Sequence, residues 1–279
     1  MKKFFALLLV LLVSQVAFAQ NGDINNDGVV TSADVTVLYN FLLNGDTSDL
    51  INWDQDGDGV ITVSDVTSVY NILLGMPTHE YVDLGLPSGT LWATMNIGAN
   101  SPEEYGDYFA WGETMPKDVY GVSTYKWFDS SSHKLTKYCT NSSDGHNGFV
   151  DDKTELDPED DAATANWGEM WRMPSLEQIQ ELANNCTTQW TTINEVNGVL
   201  FTSNINGASL FVPAAGYHEN QVLSNAGFSG SYWTRTLYSH FPLGAFNLFL
   251  VQNQNYVQPT LSGERTRGHS VRAVRVSQK

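Results

Sequence analysis

Two stretches near the start of the chain repeat one apolar pattern. Val35, Leu38, Tyr39 and Leu42 recur at the spacing of a single helix face, and Val66, Val69, Tyr70 and Leu73 repeat it. The spacing predicts two amphipathic helices that bury their faces against each other. Thr31 stands three residues ahead of Asp34, and Thr62 three ahead of Asp65, which is the layout of a helix start, while Gly45 and Gly75 mark the stops. Ahead of both lies an apolar run over residues 4–13, preceded by Lys2 and Lys3 and followed by Ala17, Phe18 and Ala19. That is the plan of a secretory signal peptide over residues 1–19, too short to cross a bilayer, and no later run is long enough to do so.

After the joint at Met76, Pro77, Thr78 and His79 the texture changes to short apolar and aromatic runs broken by Gly, Asn, Asp and Ser. Short strands and long loops follow from that texture. Strands are expected at residues 81–84, 91–96, 107–110, 208–213, 232–234, 246–252, 256–259 and 270–276. One helix is expected from a Ser175 cap, with Glu177 following, through Ile179 and Leu182 to Cys186. The chain therefore reads as α+β, with a small all-α module over residues 20–76 and an irregular mixed α+β domain over residues 80–279.

Charge changes the picture in the first module. The formal net charge is -17, which argues against a nucleic-acid partner. After Lys3 the next basic residue is Lys117, yet carboxylates crowd residues 23–65, so something other than Lys or Arg must neutralise them. Beyond Ser231 the balance reverses, with Arg235, Arg265, Arg267, Arg272, Arg275 and Lys279 against Glu264, and a basic stripe is expected there. Cys139 and Cys186 either pair in the exported protein or stand as separate buried thiols.

The acidic segments are themselves repeats. Asp23, Asn25, Asp27, Thr31 and Asp34 fall at loop positions 1, 3, 5, 9 and 12 of a calcium loop, and Asp54, Asp56, Asp58, Thr62 and Asp65 fall at the same positions of a second. Gly28 and Gly59 occupy the sharp turn, and Val29 and Val60 would each offer a backbone carbonyl. Calcium takes six to eight hard oxygen ligands, which a tight loop supplies from alternate residues. Two Ca²⁺ ions are expected. Asp rather than Glu closes each loop, so the bidentate arm is shorter. The repeat over residues 22–75 resembles the type I dockerin family, in which a loop followed by one helix is duplicated. That resemblance implies docking to a cohesin-like partner. The family's partner-reading positions fall on Ser32 and Ala33 and on Val63 and Ser64, while Tyr39, Asn40, Tyr70 and Asn71 stand where basic residues are common.

The second domain carries the segments Tyr81 to Ala93, Asp160 to Ala163, Trp171 to Ser175, Leu210 to Tyr217, Ser231 to Trp233 and Ser270 to Arg272. Together they resemble the Fibrobacter succinogenes major paralogous domain family, which implies a C-type-lectin-like fold. Trp92, Trp171 and Trp233 read as core, and Arg172 is expected to pair with Asp160 and Asp161 beneath the helix start. Arg235, Tyr238, Asn247, Asn253, Asn255 and Tyr256 interleave aromatics with amide and guanidinium donors, the mixture that binds a glycan or a protein surface, or else forms an ordinary polar hairpin. Alternation along that strand should set Asn247 and Phe249 opposite Phe246 and Leu248. No metalloprotease, nucleophile-elbow, phosphate-loop or dinucleotide motif is present. The leading reading is an exported, non-catalytic recognition or adhesion protein at the cell surface, in the periplasm or outside the cell. The alternatives are a subunit of polysaccharide degradation and a calcium-stiffened spacer.

Overall fold

Thr31 and Thr62 start the two N-terminal helices, α1 (Ser32–Asn44) and α2 (Val63–Leu73). Thr31 Oγ1 accepts from Ala33 N at 3.1 Å while Thr31 N donates back to the Asp34 carboxylate at 2.7 Å, and Thr62 N does the same to Asp65 at 2.7 Å. The reciprocal cap satisfies backbone donors that a helix start leaves open. The computed structural model describes residues 22–44, 53–55, 61–74, 79–252 and 256–276. Residues 1–19, Gly45 and Gly75 lie outside them. The chain divides into two units, the second being His79–Ser277.

In the first unit Ile24, Val35, Leu38, Val66 and Val69 are buried together, with Val30, Leu42, Trp53 and Ile61 packed around them. The apolar face is narrower than its sequence pattern. Tyr39 is 51% exposed, Tyr70 48% and Leu73 37%. Two helices of 13 and 11 residues cover each other along one seam, which takes the i, i+3 positions and leaves the flanking tyrosines outside.

The second unit runs β1 (Tyr81–Asp83), β2 (Thr90–Ala93), β3 (Phe128–Asp129), β4 (Lys134–Leu135), α3 (Ala162–Trp167), α4 (Leu176–Asn185), β5 (Cys186–Ile193), β6 (Val196–Ser203), β7 (Ser209–Pro213), β8 (Tyr217–Glu219), β9 (Val222–Ser224), β10 (Ser229–Leu237), β11 (Gly244–Val251), β12 (Tyr256–Glu264) and β13 (Val274–Val276). The sheets are small: β1-β2-β13, β5-β6-β7, β10-β11-β12 and the hairpins β3-β4 and β8-β9. Residues 107–110 make one bridge, Phe109 to His269, in place of the expected strand. Helix α3, capped by Asp161, is an element that its short apolar pattern does not predict. Helix α4 starts at Ser175 as expected, but the residue that closes its capping box is Gln178 and not Glu177.

Two larger apolar clusters and a small one at Ala110, Tyr120 and Tyr125 fill this unit among the described residues. Of the larger two, one joins Trp92, Ile179, Leu182, Phe201, Leu248 and Val274, and the other joins Trp111, Tyr138, Trp171, Trp233 and Val271. Trp233 Nε1 donates to Phe109 O at 2.7 Å and Trp111 Nε1 to Thr234 O at 2.8 Å, so the two indoles lock the loop over residues 107–113 to β10 while meeting their own polar needs. Cys139 and Cys186 are separate buried thiols.

Candidate metal centres and ligand face

Loop one is drawn around its carboxylates. Asp34 is 0% exposed, and its Oδ1 accepts from Ile24 N at 2.8 Å and Asn25 N at 3.1 Å while Oδ2 accepts from Thr31 N at 2.7 Å. Burial acts to raise its pKa, but the backbone donors of Thr31, Asn25 and Ile24 outweigh that and hold the carboxyl below its ordinary range. Asp23, at the opposite end of the loop, takes Asp27 N at 3.1 Å and Gly28 N at 2.9 Å on its two oxygens. Asn25 Oδ1 accepts from Asp27 N at 2.9 Å, and Asp27 Oδ1 from Val29 N at 3.0 Å. Each oxygen uses one or two backbone donors and keeps lone pairs for a further partner. Gly28 adopts φ +90°, and no atom lies within 4 Å of where its Cβ would be, so the glycine is required by backbone conformation rather than by space.

Loop two repeats the closing half. Asp65 is likewise 0% exposed, with Oδ1 accepting from Gln55 N at 2.6 Å and Oδ2 from Thr62 N at 2.7 Å. Asp54 is half-buried, and Asp56, Asp58 and Val60 lie outside the described residues. Gly22 N donates to Gln55 Oε1 at 2.7 Å, which ties the head of the first loop to the second. The donors of both loops are oxygens only, and no Lys or Arg occurs between Lys3 and Lys117. That chemistry fits a hard divalent cation.

A tighter carboxylate group exists elsewhere. Asp157, Glu159 and Asp160 form the one trio of carboxylates among the described residues whose oxygens all lie within 4.8 Å of one another. Proximity favours this trio over the loops as a metal site; its neighbours argue the other way. Lys137 Nζ already sits 2.7 Å from Asp157, 3.7 Å from Glu159 and 2.6 Å from Asp160, and Tyr138 Oη donates to Asp160 at 2.7 Å. An ammonium occupies the place a cation would take. The expected pairing of Arg172 with this region does not form: Arg172 is exposed and contributes its backbone to a bridge with Val274. Asp161 instead caps α3 and accepts from Met173 N at 2.9 Å.

Of the expected C-terminal ligand residues, Arg235, Tyr238 and Asn247 have described side chains, and these three sit in different surroundings. Arg235 is tied to Glu155 at 3.0 Å, Met173 O at 3.2 Å and Gln178 Oε1 at 3.3 Å, which pins β10 to the start of α4. Asn247 is 2% exposed, beside His269 at 3.4 Å and within the core against Trp233. A register shift in β11-β12 between Asn247 and Phe249 breaks the expected alternation, so Asn247, Leu248 and Leu250 are buried while Phe246 and Phe249 are half-buried. Asn253 and Asn255 lie outside the described residues, and Tyr256 is described through its backbone pairing with Val251. Tyr238 remains at the surface, edge-on to His240 and Phe246, and lines a cavity with Arg265 that no local motif marks. The basic stripe is not a surface feature either, because Arg265, Arg272 and Arg275 are buried.

No described helix is long and apolar enough to cross a membrane. No curated protein and no solved structure matches the chain. A family model does match: residues 21–74, which carry both loops and both helices, match the dockerin type I domain.

Proposed function

We propose that the first unit is a calcium-loaded docking foot and the second a non-catalytic recognition domain of an exported protein. The observation that carries the reading is the duplicated closing aspartate. Asp34 and Asp65 are both fully buried, and both are held by the backbone of their loop and the first turn of their helix. An ion bound in each loop would join oxygens of Asp23, Asn25, Asp27 and Thr31, or of Asp54, Asp56, Asp58 and Thr62, to that closing aspartate. It would neutralise them and set the helix start in one stroke.

The match to dockerin type I domains supports a cohesin-type domain as the partner class. Tyr39 and Tyr70, exposed at equivalent positions on the two helices, are the surface such a partner would read, since tyrosine gives apolar area and a hydroxyl at low entropy cost. Calcium titration of the full chain by calorimetry, with and without prior chelation, tests the reading. Two saturable sites lost together in Asp23→Ala with Asp54→Ala support it, and an unchanged titration in that variant removes it.

A further inference from the structure

The second unit holds a cavity of about 200 Å³ between the segment 135–144 and the turn joining β10 to β11. Its inner wall is apolar, formed by Leu135, Tyr138 and Leu237, and Tyr238, Ser239 and Phe241 stand on the turn side. Phe241 is 44% exposed. Arg265 joins this lining from the residue just after β12, and it is 1% exposed.

No carboxylate pairs directly with that guanidinium among the described residues. Nη1 donates to Tyr138 O at 3.1 Å and Nη2 to Pro242 O, while Nε is buried with no hydrogen-bond partner. The Trp111 ring lies 5.3 Å away, and the nearby Tyr125 phenol is kept protonated by burial. Among the described residues no Asp or Glu oxygen lies within 4.0 Å of it. Arg272 is as deeply buried but directs its donors to Asn96, Ala93 and Thr94 and takes no part in this cavity. A buried positive charge without a counter-charge is costly, and a carboxylate bound beside it would lower that cost.

The remaining lining restricts the ligand. Asp144 also lines the cavity; its carboxylate accepts from ligand hydroxyls and repels any ligand charge not held against Arg265, which limits the ligand to one carboxylate on the Arg265 side. Asn141 adds amide donors and an acceptor. Sites for drug-sized ligands span about 300–1,000 Å³, so this one suits a single ring. We propose that it binds a hexuronic acid, one sugar ring bearing one carboxylate, with the carboxylate on Arg265, the ring against Tyr238 and Phe241, and the hydroxyls on Asn141 and Asp144. The site does not depend on calcium in the first unit.

Calorimetry on the full chain tests it with glucuronate and galacturonate, against glucose and galactose as neutral counterparts and acetate as a bare carboxylate. One charge-assisted contact predicts uronates binding about tenfold or more tighter than the neutral sugars. Uronates are also expected to bind tighter than acetate. No uronate binding, equal binding of the neutral sugars, or acetate equalling the uronates overturns the proposal. Arg265→Gln should erase the preference for uronates. Because Arg265 also braces Tyr138 and Pro242, Tyr238→Ala and Ser239→Trp provide folded alternatives, checked by circular dichroism. Each should weaken uronate about tenfold, and undiminished affinity in both overturns the site.

Discussion

Asp34 and Asp160 are both buried aspartates in acidic surroundings, and the chain neutralises them by different means. Around Asp160 the compensating charges are built in: Lys137 at 2.6 Å, Lys126 at 3.2 Å and a phenol hydroxyl at 2.7 Å. Around Asp34 there are backbone N–H groups at 2.7 to 3.1 Å and further carboxylates, with no cationic side chain in reach of the sequence for dozens of positions. Built-in neutralisation makes the second unit self-sufficient. On the proposed reading, neutralisation left to a bound ion would make the first unit's fold conditional on its surroundings, and a 54-residue match with a narrow helix seam has little apolar area to resist that dependence.

The largest effect that could break the comparison is chelation. Removing calcium should abolish the helical signal of the first unit and leave the melting of the second unchanged. At a hundredfold excess over Kd each site contributes about 2.7 kcal/mol, enough to decide whether so small a unit folds. Two transitions by calorimetry, one sensitive to chelator and one not, are the expected outcome, and a first transition indifferent to chelator contradicts it.

The converse cut is made at Lys137. Replacing it with Met removes the ammonium from three carboxylates and should destabilise the second unit by about 3 kcal/mol, because breaking a buried pair strands its partner. Chemical denaturation measures this. If added calcium restored the variant, the trio would be a latent version of the first unit's solution.

A graded effect, modest per pH unit, separates the units by pH. Burial, helped by the neighbouring Arg267, pushes the pKa of His269 down to about 3 from an ordinary 6.5. Between those values the unfolded chain binds the proton and the folded chain does not. Stability is therefore fully present above pH 6.5 and falls as pH drops towards 3, at about 1.4 kcal/mol per unit from this group. His269→Gln should flatten that slope in the second unit, read as midpoint against pH, and leave the first unit's transition unmoved.

The smallest effect on stability concerns the exposed tyrosines. Tyr39→Ala with Tyr70→Ala should shift melting within about 0.5 kcal/mol, since exposed positions away from special features tolerate change. The same double variant should lose capture of a cohesin-type partner. Retained capture would move the docking surface elsewhere on the unit.

How far the sequence could be read follows the same division. The loops and helices of the first unit were legible because their spacing is the chemistry: oxygen donors at alternate positions and a threonine three residues before an aspartate. In the second unit the three tryptophans were legible as core, whereas the hairpin β5-β6 was not. Its strands carry Thr and Gln on an exposed side, and its turn places Asn194 and Glu195 at φ 48° and 68°, where Gly or Asn is the usual marker. Asn247 and Arg235 were illegible for a different reason. Adjacency in sequence does not set adjacency on a surface: a register shift turns Asn247 inward, and Arg235 is drawn to α4. Arg265 could not be found from its local sequence, because its partners Tyr138 and Pro242 come from far back in the chain.

Strand β2 lies between β1 and β13, so the first and last strands of the second unit flank one common neighbour. Its entrance and exit therefore both leave from a single small sheet, at opposite ends of two parallel outer strands. A fold with both chain ends in one sheet is a cassette: it can be spliced between two host segments while the rest of its chain stays closed on itself. For a protein that couples a foot to a reader, such an arrangement lets evolution exchange either part without rebuilding the other.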